Sequence, residues 1–369
     1  MALVTGIDVG VLEYGTMVQW LGQGGPQTAT IVRVRTDCGE SGVSVSWNDS
    51  PSATSMALAI AAWFREALVG IDVRHHPIAA ERVMETAAWN GTSCVAIAAV
   101  DNAMWDAKAK CLGMPLHALL GTRHLSLPAY GVSREELSMT SADQVIEHVL
   151  RFKQEGHRGY KPHLWGDPRL DLDACAAIRR AVGDEFALMF DPLGRYDLFE
   201  ALKVGRGLEE LSYLWLEDPL PHSQRHGYPW LSRQLAIPVF ATDALYWSFG
   251  DYLEAASRQC PVGLRLDAGR QGITFCRKVV EAAAPYGVRC EFHAFGPEPN
   301  SIAGLHVALS QKLESYYECC VPVADYVVPG FDAPTAIDGG GRVAAPKGPG
   351  LGLAVDWDYV DRHTNWIKE

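Results

Sequence analysis

Three short hydrophobic runs between Phe186 and Leu245 each close on an acid: ALMFD on Asp191, YLWLED with Glu217, and PVFATD on Asp243. The acids are evenly placed, with 26 residues from Asp191 to Glu217 and 26 from Glu217 to Asp243. That interval is about the length of one strand, one helix and two short loops. If each run is a strand of one parallel sheet, the three acids occupy three successive C-terminal strand ends. Neighbouring strands lie about 4.8 Å apart, so the carboxylates converge on one point. Two unit charges about 4 Å apart repel by roughly 4 kcal/mol at an effective dielectric of 20. A hard divalent cation with oxygen ligands, most simply Mg²⁺, relieves that repulsion. The competing reading is three unrelated strand-end acids, each capping the helix that follows it.

A chain of 369 residues with 48% hydrophobic content is long enough for a barrel of about 250 residues plus an additional part. The net charge of −12 argues against a nucleic-acid partner, and no basic run marks a membrane surface. The nine cysteines are scattered without CxxC or zinc-ligand spacing, and the adjacent pair Cys319-Cys320 reads as strand packing. Met1 is not followed by a basic segment and an apolar core of signal-peptide type, and no run of eighteen apolar residues occurs. The expectation is a reducing, cytoplasmic setting.

Residues 1 to about 50 read as an antiparallel meander of GIDVGVLEY, TATIVRVRTD and GVSVSW, with a polar, Gly-rich flap around Trp20. Residues 52–70, 77–89 and 92–112 carry helical periodicity. In the last of these, Asp101 and Asp106 lie within an apolar, Ala-rich run that opens on a Thr/Ser cap, and they read as structural. From Leu127 strand and helix alternate strictly, from LPAYGV to SYYECC, giving eight strands and seven helices. Such alternation implies parallel strands with right-handed crossovers, and eight strands imply a closed barrel. An open doubly wound sheet is disfavoured because no Gly-rich phosphate fingerprint follows the first strand. The turn-rich text after residue 320 folds back onto the meander, so the barrel is inserted into a two-part domain.

The C-terminal strand ends of such a barrel form its active face. In order they carry Lys161 and His163, Asp191, Glu217, Asp243, Asp267, His293 and Glu318. Asp267 and His293 fall on adjacent strands. A carboxylate on one imidazole nitrogen fixes the tautomer, orients the ring and raises its basicity, as a general base requires. Lys161 and His163 share parity on one strand and point into the mouth on the far side of the acids. Arg265 lies two residues before Asp267 on the same face and reads as a cation for substrate oxygens or for Asp267.

With these residues in view, the chain resembles the enolase superfamily, and within it the mandelate racemase-like subgroup. The resemblance runs from the meander and flap through AIAAVDNAMWDAKAKCLGMPLHALLG and LMFDPLGRYD to the closing GPGLGL. It implies an α/β fold, a (β/α)7β modified TIM barrel with an α+β capping domain. Residues 1–125 would form the N-terminal part of the cap, 126–320 the barrel and 321–369 the segment that completes the cap. It also implies one Mg²⁺ per subunit on Asp191, Glu217 and Asp243, a catalytic Asp267–His293 dyad, and a homo-oligomer. Glu318 and Lys161 would meet the substrate carboxylate, and the flap around Trp20 would cover the pocket.

Two positions depart from the family pattern. The third metal ligand is usually Glu, and Asp243 is one methylene shorter. The second-strand motif usually reads Lys-x-Lys with the second lysine as a base; here it is Lys161-Pro162-His163. No acidic partner for His163 is visible in the sequence, and Lys161 beside it should lower its pKa and leave it neutral at pH 7. The function expected is a carbon–oxygen lyase that dehydrates a sugar-derived aldonic or aldaric acid. An isomerase using the same enediolate is the runner-up, and a silent barrel kept for binding is the third reading. The partner in either enzymatic case is a small carboxylate.

Overall fold

A computed structural model of the chain describes residues 1–16, 26–48, 52–76, 78–133, 135–241, 248–258, 263–294, 298–321, 326–332 and 335–368. The first three strands, β1 (Val4–Thr16), β2 (Pro26–Thr36) and β3 (Ser41–Asn48), form the expected antiparallel meander. Alternation puts Val9, Val11, Val32 and Val34 in one core with Ala57, Ile60 and Phe64 of α1 (Ser52–Phe64). Helices α2 (Ile78–Trp89), α3 (Cys94–Cys111) and α4 (Leu116–Leu120) follow.

Helix α3 is buried along most of its length because it packs on both the cap and the barrel. Its two acids are structural, as expected. Asp106 accepts the backbone N–H of Val43 at 2.8 Å and of Leu351 at 2.7 Å, and pairs with Lys110 at 2.7 Å. Asp101 binds His76 Nε2 at 2.9 Å and the hydroxyl of Thr274 at 2.6 Å. Gly42 on β3 lies so close to α3 that an added Cβ would stand 2.1 Å from the Ala103 carbonyl oxygen. Gly42→Ala is expected to destabilise the protein by about 1–3 kcal/mol, the range for overpacking, measured by denaturant unfolding. An unchanged midpoint would contradict this close approach.

The barrel begins with β4 (Ser126–Val132) and α5 (Ala142–Gln154), then β5 (Gly159–Tyr160), α6 (Pro168–Val182), β6 (Ala187–Leu188) and α7 (Leu198–Glu210). It continues with β7 (Leu216–Glu217), α8 (Tyr228–Gln234), β8 (Val239–Ala241), α9 (Phe249–Ser257) and β9 (Gly263–Leu266). The last units are α10 (Ala268–Gln271), α11 (Ile273–Ala283), β10 (Arg289–Phe292), α12 (Glu298–Ala308) and β11 (Tyr317–Cys320). Their parallel order is β6-β5-β4-β11-β10-β9-β8-β7, and a parallel bridge from Phe190 to Leu216 joins the two ends. This is the α/β modified TIM barrel with a separate antiparallel cap that the alternation predicted. Tyr130, Val132, Met189, Trp215 and Phe240 fill its interior.

Three short strands follow: β12 (Phe331–Asp332), β13 (Arg342–Ala344) and β14 (Ala354–Val355). Helix α13 (Trp357–His363) then leads to β15 (Thr364–Trp366), which pairs with β1 across Gly10 and Trp366. The C-terminal segment therefore reaches the meander, but on the way β13 also pairs antiparallel with β4 of the barrel.

Cys38 and Cys111 form a disulfide with a Cα–Cα distance of 6.4 Å. It ties the β2–β3 turn to the end of α3, and it departs from the expectation of a chain with no paired cysteines. The two positions are 73 residues apart, so only the folded cap brings them together. No helix among the described residues is long and apolar enough to cross a membrane.

Candidate active site

Side chains inside the barrel are stacked in two layers, because residues i and i+2 of a strand face the same way about 6.6 Å apart. Lys161, Trp215 and Arg265 form the lower layer. His163, Glu217 and Asp267, each two residues further on, stand above them at the mouth.

The lower layer holds the acids in place. Lys161 Nζ lies 2.6 Å from Glu217 Oε1, 2.8 Å from Glu318 Oε2 and 3.8 Å from Asp191 Oδ2. Trp215 donates its indole N–H to Glu217 Oε2 at 2.9 Å. Arg265 is fully buried, with Nη2 2.6 Å from Glu318 Oε2 and Nε 3.1 Å from Glu217 Oε1. Glu318 also accepts the Tyr130 hydroxyl at 2.6 Å and the Ala294 N–H at 3.0 Å. Burial would raise the pKa of Glu318, but Arg265 and Lys161 outweigh it and hold the carboxyl well below the usual range. Burial likewise opposes the charge on Lys161, and Glu217 and Glu318 outweigh it, so the ammonium persists. Arg265 and Lys161 thus support carboxylates from beneath. The expectation that Arg265 reaches substrate oxygens is corrected by this depth: its guanidinium is already engaged.

At the mouth, His293 Nδ1 lies 2.9 Å from Asp267 Oδ2. Asp267 sits at the end of β9 and also caps α10, accepting the Gly269 N–H at 2.7 Å through its other oxygen. Asn102 of α3 secures the same turn by donating to the Ala268 carbonyl at 2.8 Å. The His293 side chain is 16% exposed, against 4% for Asp267, so the imidazole faces outward while its carboxylate stays covered. This turn makes Asp267→Asn a clean probe, since an amide still accepts the capping bonds but cannot stabilise a protonated His293. We expect that variant to keep its melting temperature and to lose turnover on the order of 10²-fold, the lower part of the range for general-base catalysis. Wild-type turnover would make the pair structural.

His163 overturns the expectation made for it. It has two acidic neighbours, Glu136 with Oε1 3.4 Å from Nδ1 and Asp191 with Oδ2 3.4 Å from Nε2. Burial alone would lower its pKa, but the hydrogen bonds and charges of these carboxylates outweigh it and raise it to about 9 in the metal-free chain. The imidazole is therefore charged at neutral pH. Glu136 escaped the sequence reading because it lies on the loop between β4 and α5. The available signal was its position in SREELS, just after the first barrel strand, where a loop acid can reach the neighbouring second strand.

Asp191 and Glu217 are buried carboxylates at neighbouring strand ends, joined through the Phe190–Leu216 bridge. Burial opposes ionisation of Asp191, but His163 and Lys161 outweigh it and keep its pKa low. Hard carboxylate oxygens beside one another suit a divalent ion such as Mg²⁺; in this structure they are paired with Lys161, Arg265 and His163. Among the described residues no group of three His, Cys, Asp or Glu side chains is arranged to hold a metal ion. The expected third ligand, Asp243, and the flap residue Trp20 lie outside the described residues.

The fold, with ionisable groups gathered at its C-terminal strand ends, is that of a barrel enzyme. The enolase C-terminal domain-like family profile matches residues 144–359, and the mandelate racemase/muconate lactonizing enzyme N-terminal domain profile matches residues 17–121. The chain belongs to the mandelate racemase-like subgroup of the enolase superfamily.

It is 32% identical over 232 residues to L-talarate/galactarate dehydratase of Salmonella typhimurium, a match covering 62% of this chain and 56% of that protein. It is 30% identical over 293 residues to D-galactonate dehydratase of Variovorax paradoxus, covering 72% of each. Among solved structures, a magnesium complex of a mandelate racemase/muconate lactonizing protein from Paracoccus denitrificans superposes with a TM-score of 0.84 at 25% identity. That superposition covers 100% of this chain and 98% of the other. An L-talarate/galactarate dehydratase variant liganded with Mg and L-glucarate superposes with a TM-score of 0.85 at 25% identity, covering 99% and 92%.

Proposed function

We propose that the chain is a magnesium-dependent dehydratase of an aldonic or aldaric acid. The observation that carries this reading is the His293–Asp267 pair, placed across the barrel mouth from His163. Going round the eight-strand ring, β5 and β10 are three strands apart, so the two imidazoles approach a bound acid from different sides. The relatives named as talarate/galactarate and galactonate dehydratases supply the substrate class.

Asp191, Glu217 and Asp243 would hold the ion. When bound, Mg²⁺ supplies Lewis-acid stabilisation of the negative charge that grows on the substrate carboxylate as the α-proton leaves. With Nδ1 committed to Asp267, His293 takes the α-proton on Nε2. His163, with Glu136 on its Nδ1 side and Asp191 on its Nε2 side, gives a proton to the 3-hydroxyl, which departs as water. The resulting enol tautomerises to a 2-keto acid. Lys161, Arg265 and Trp215 keep Glu217 and Glu318 in place from beneath.

A racemase, epimerase or cycloisomerase is the second reading, favoured by the presence of two imidazoles and by a relative named muconate cycloisomerase 1, from Rhodococcus opacus, at 27% identity. The test is incubation of mono- and diacid sugars with the protein and Mg²⁺, following 2-keto acid formation. A signal with one stereochemical group of acids is expected; none across the set would set the dehydratase reading aside.

A further inference from the structure

Glu136 is fully buried and plays no part in the chemistry above. It lies in the 3-10 turn Glu135–Ser138 that follows β4. Its Oε1 accepts the backbone N–H of His163 at 2.9 Å and stands 3.4 Å from the Nδ1 of the same residue. The Ser133 carbonyl oxygen is 3.3 Å from that nitrogen. Its Oε2 accepts the Tyr160 hydroxyl at 2.6 Å and lies 3.3 Å from His148 Nε2. A carboxylate removed from water is costly unless its lone pairs are satisfied, and here each oxygen is satisfied by a group that also fixes its direction. An imidazole nitrogen facing a carbonyl and a carboxylate carries its hydrogen. Nε2 is then the nitrogen left toward the site, where Asp191 Oδ2 is 3.4 Å away.

We infer that Glu136 is a positioning residue for His163: with the Ser133 carbonyl it grips the residue by both backbone and ring, so that Nε2 faces the reacting side. The arrangement parallels that of Asp267 and His293 in placing a carboxylate on the Nδ1 side, here beside the Ser133 carbonyl. A lysine places one charge at the end of a flexible stem; an imidazole works from one ring atom, and a turned ring takes that atom away. The inference rests on the reading of His163 as a proton carrier.

The test uses the full chain, metal-free, with its histidines ¹⁵N-labelled, and assigns the imidazole resonances with His163→Asn and His293→Asn. In Glu136→Gln the Nδ1–H resonance of His163 moves upfield or broadens away, while that of His293 stays in place. An unmoved His163 resonance overturns the inference, whatever the activity. Tyr160→Phe takes one donor from Glu136 and strengthens its pull on the ring, so it moves the same resonance downfield. That variant decides the matter if Glu136→Gln does not fold, and an unmoved resonance there is equally contrary. On an acid sugar that the wild type dehydrates, Glu136→Gln lowers kcat roughly 10–100-fold with KM within about 3-fold, the usual effect of losing a group that orients an active-site imidazole. An unchanged kcat overturns the inference. If no acid sugar is turned over at all, the dehydratase reading fails and the spectra still decide the positioning role.

Discussion

His293→Asn abolishes turnover and, with it, exchange of the substrate α-hydrogen with solvent deuterium. Asparagine can still hydrogen-bond Asp267, whose carboxylate lies 2.9 Å from the native Nδ1, so the turn after β9 stays capped. What is lost is the ring nitrogen that takes the proton. A positioned base contributes about 10²–10⁴-fold, and a loss in that range is expected for both kcat and exchange. His163→Asn should instead retain exchange and slow the loss of water, because it removes the acid while sparing the base. Exchange that persists in His293→Asn and vanishes in His163→Asn would reverse the two roles.

Glu217→Gln is expected to be the most damaging change among the strand-end carboxylates. One carboxylate oxygen is 2.6 Å from Lys161 and 3.1 Å from Arg265, and the other accepts the Trp215 indole N–H. Removing the negative charge leaves two buried cations facing one another with less compensation. Breaking a buried ion pair costs about 3–5 kcal/mol, so the variant should unfold at markedly lower denaturant even in chelator, where no metal effect contributes. Magnesium affinity, measured by calorimetry, should also fall beyond detection. A variant with wild-type stability in chelator would mean that Lys161 and Arg265 are held by other groups.

Asp191 and Glu217 were legible as neighbouring strand-end acids because one βα unit has a nearly fixed length; Asp243 lies outside the described residues. Asp267 and His293 were legible for the same reason, lying at the ends of the paired strands β9 and β10. Depth was harder to read. Parity put Arg265 on the same face as Asp267, but two residues along a strand are about 6.6 Å, enough to move Arg265 from the mouth to the buried floor. Of the two acids beside His163, Asp191 was legible at its strand end, whereas Glu136 was only hinted at by SREELS after β4, because it comes from a loop whose path is set by packing against β5. The same holds for Cys38 and Cys111, which meet only once β3 has packed on α3.

In the proposed reaction the α-proton is removed so that a hydroxyl can leave. The most direct measurement is the reaction of a turned-over acid sugar in D₂O with Mg²⁺, read by mass and proton spectra. A 2-keto acid that has lost one water and carries solvent deuterium at C3 is the expected product. An acid of unchanged composition, deuterated at the α-carbon and accompanied by no keto acid, would contradict this reaction and make the enzyme an isomerase.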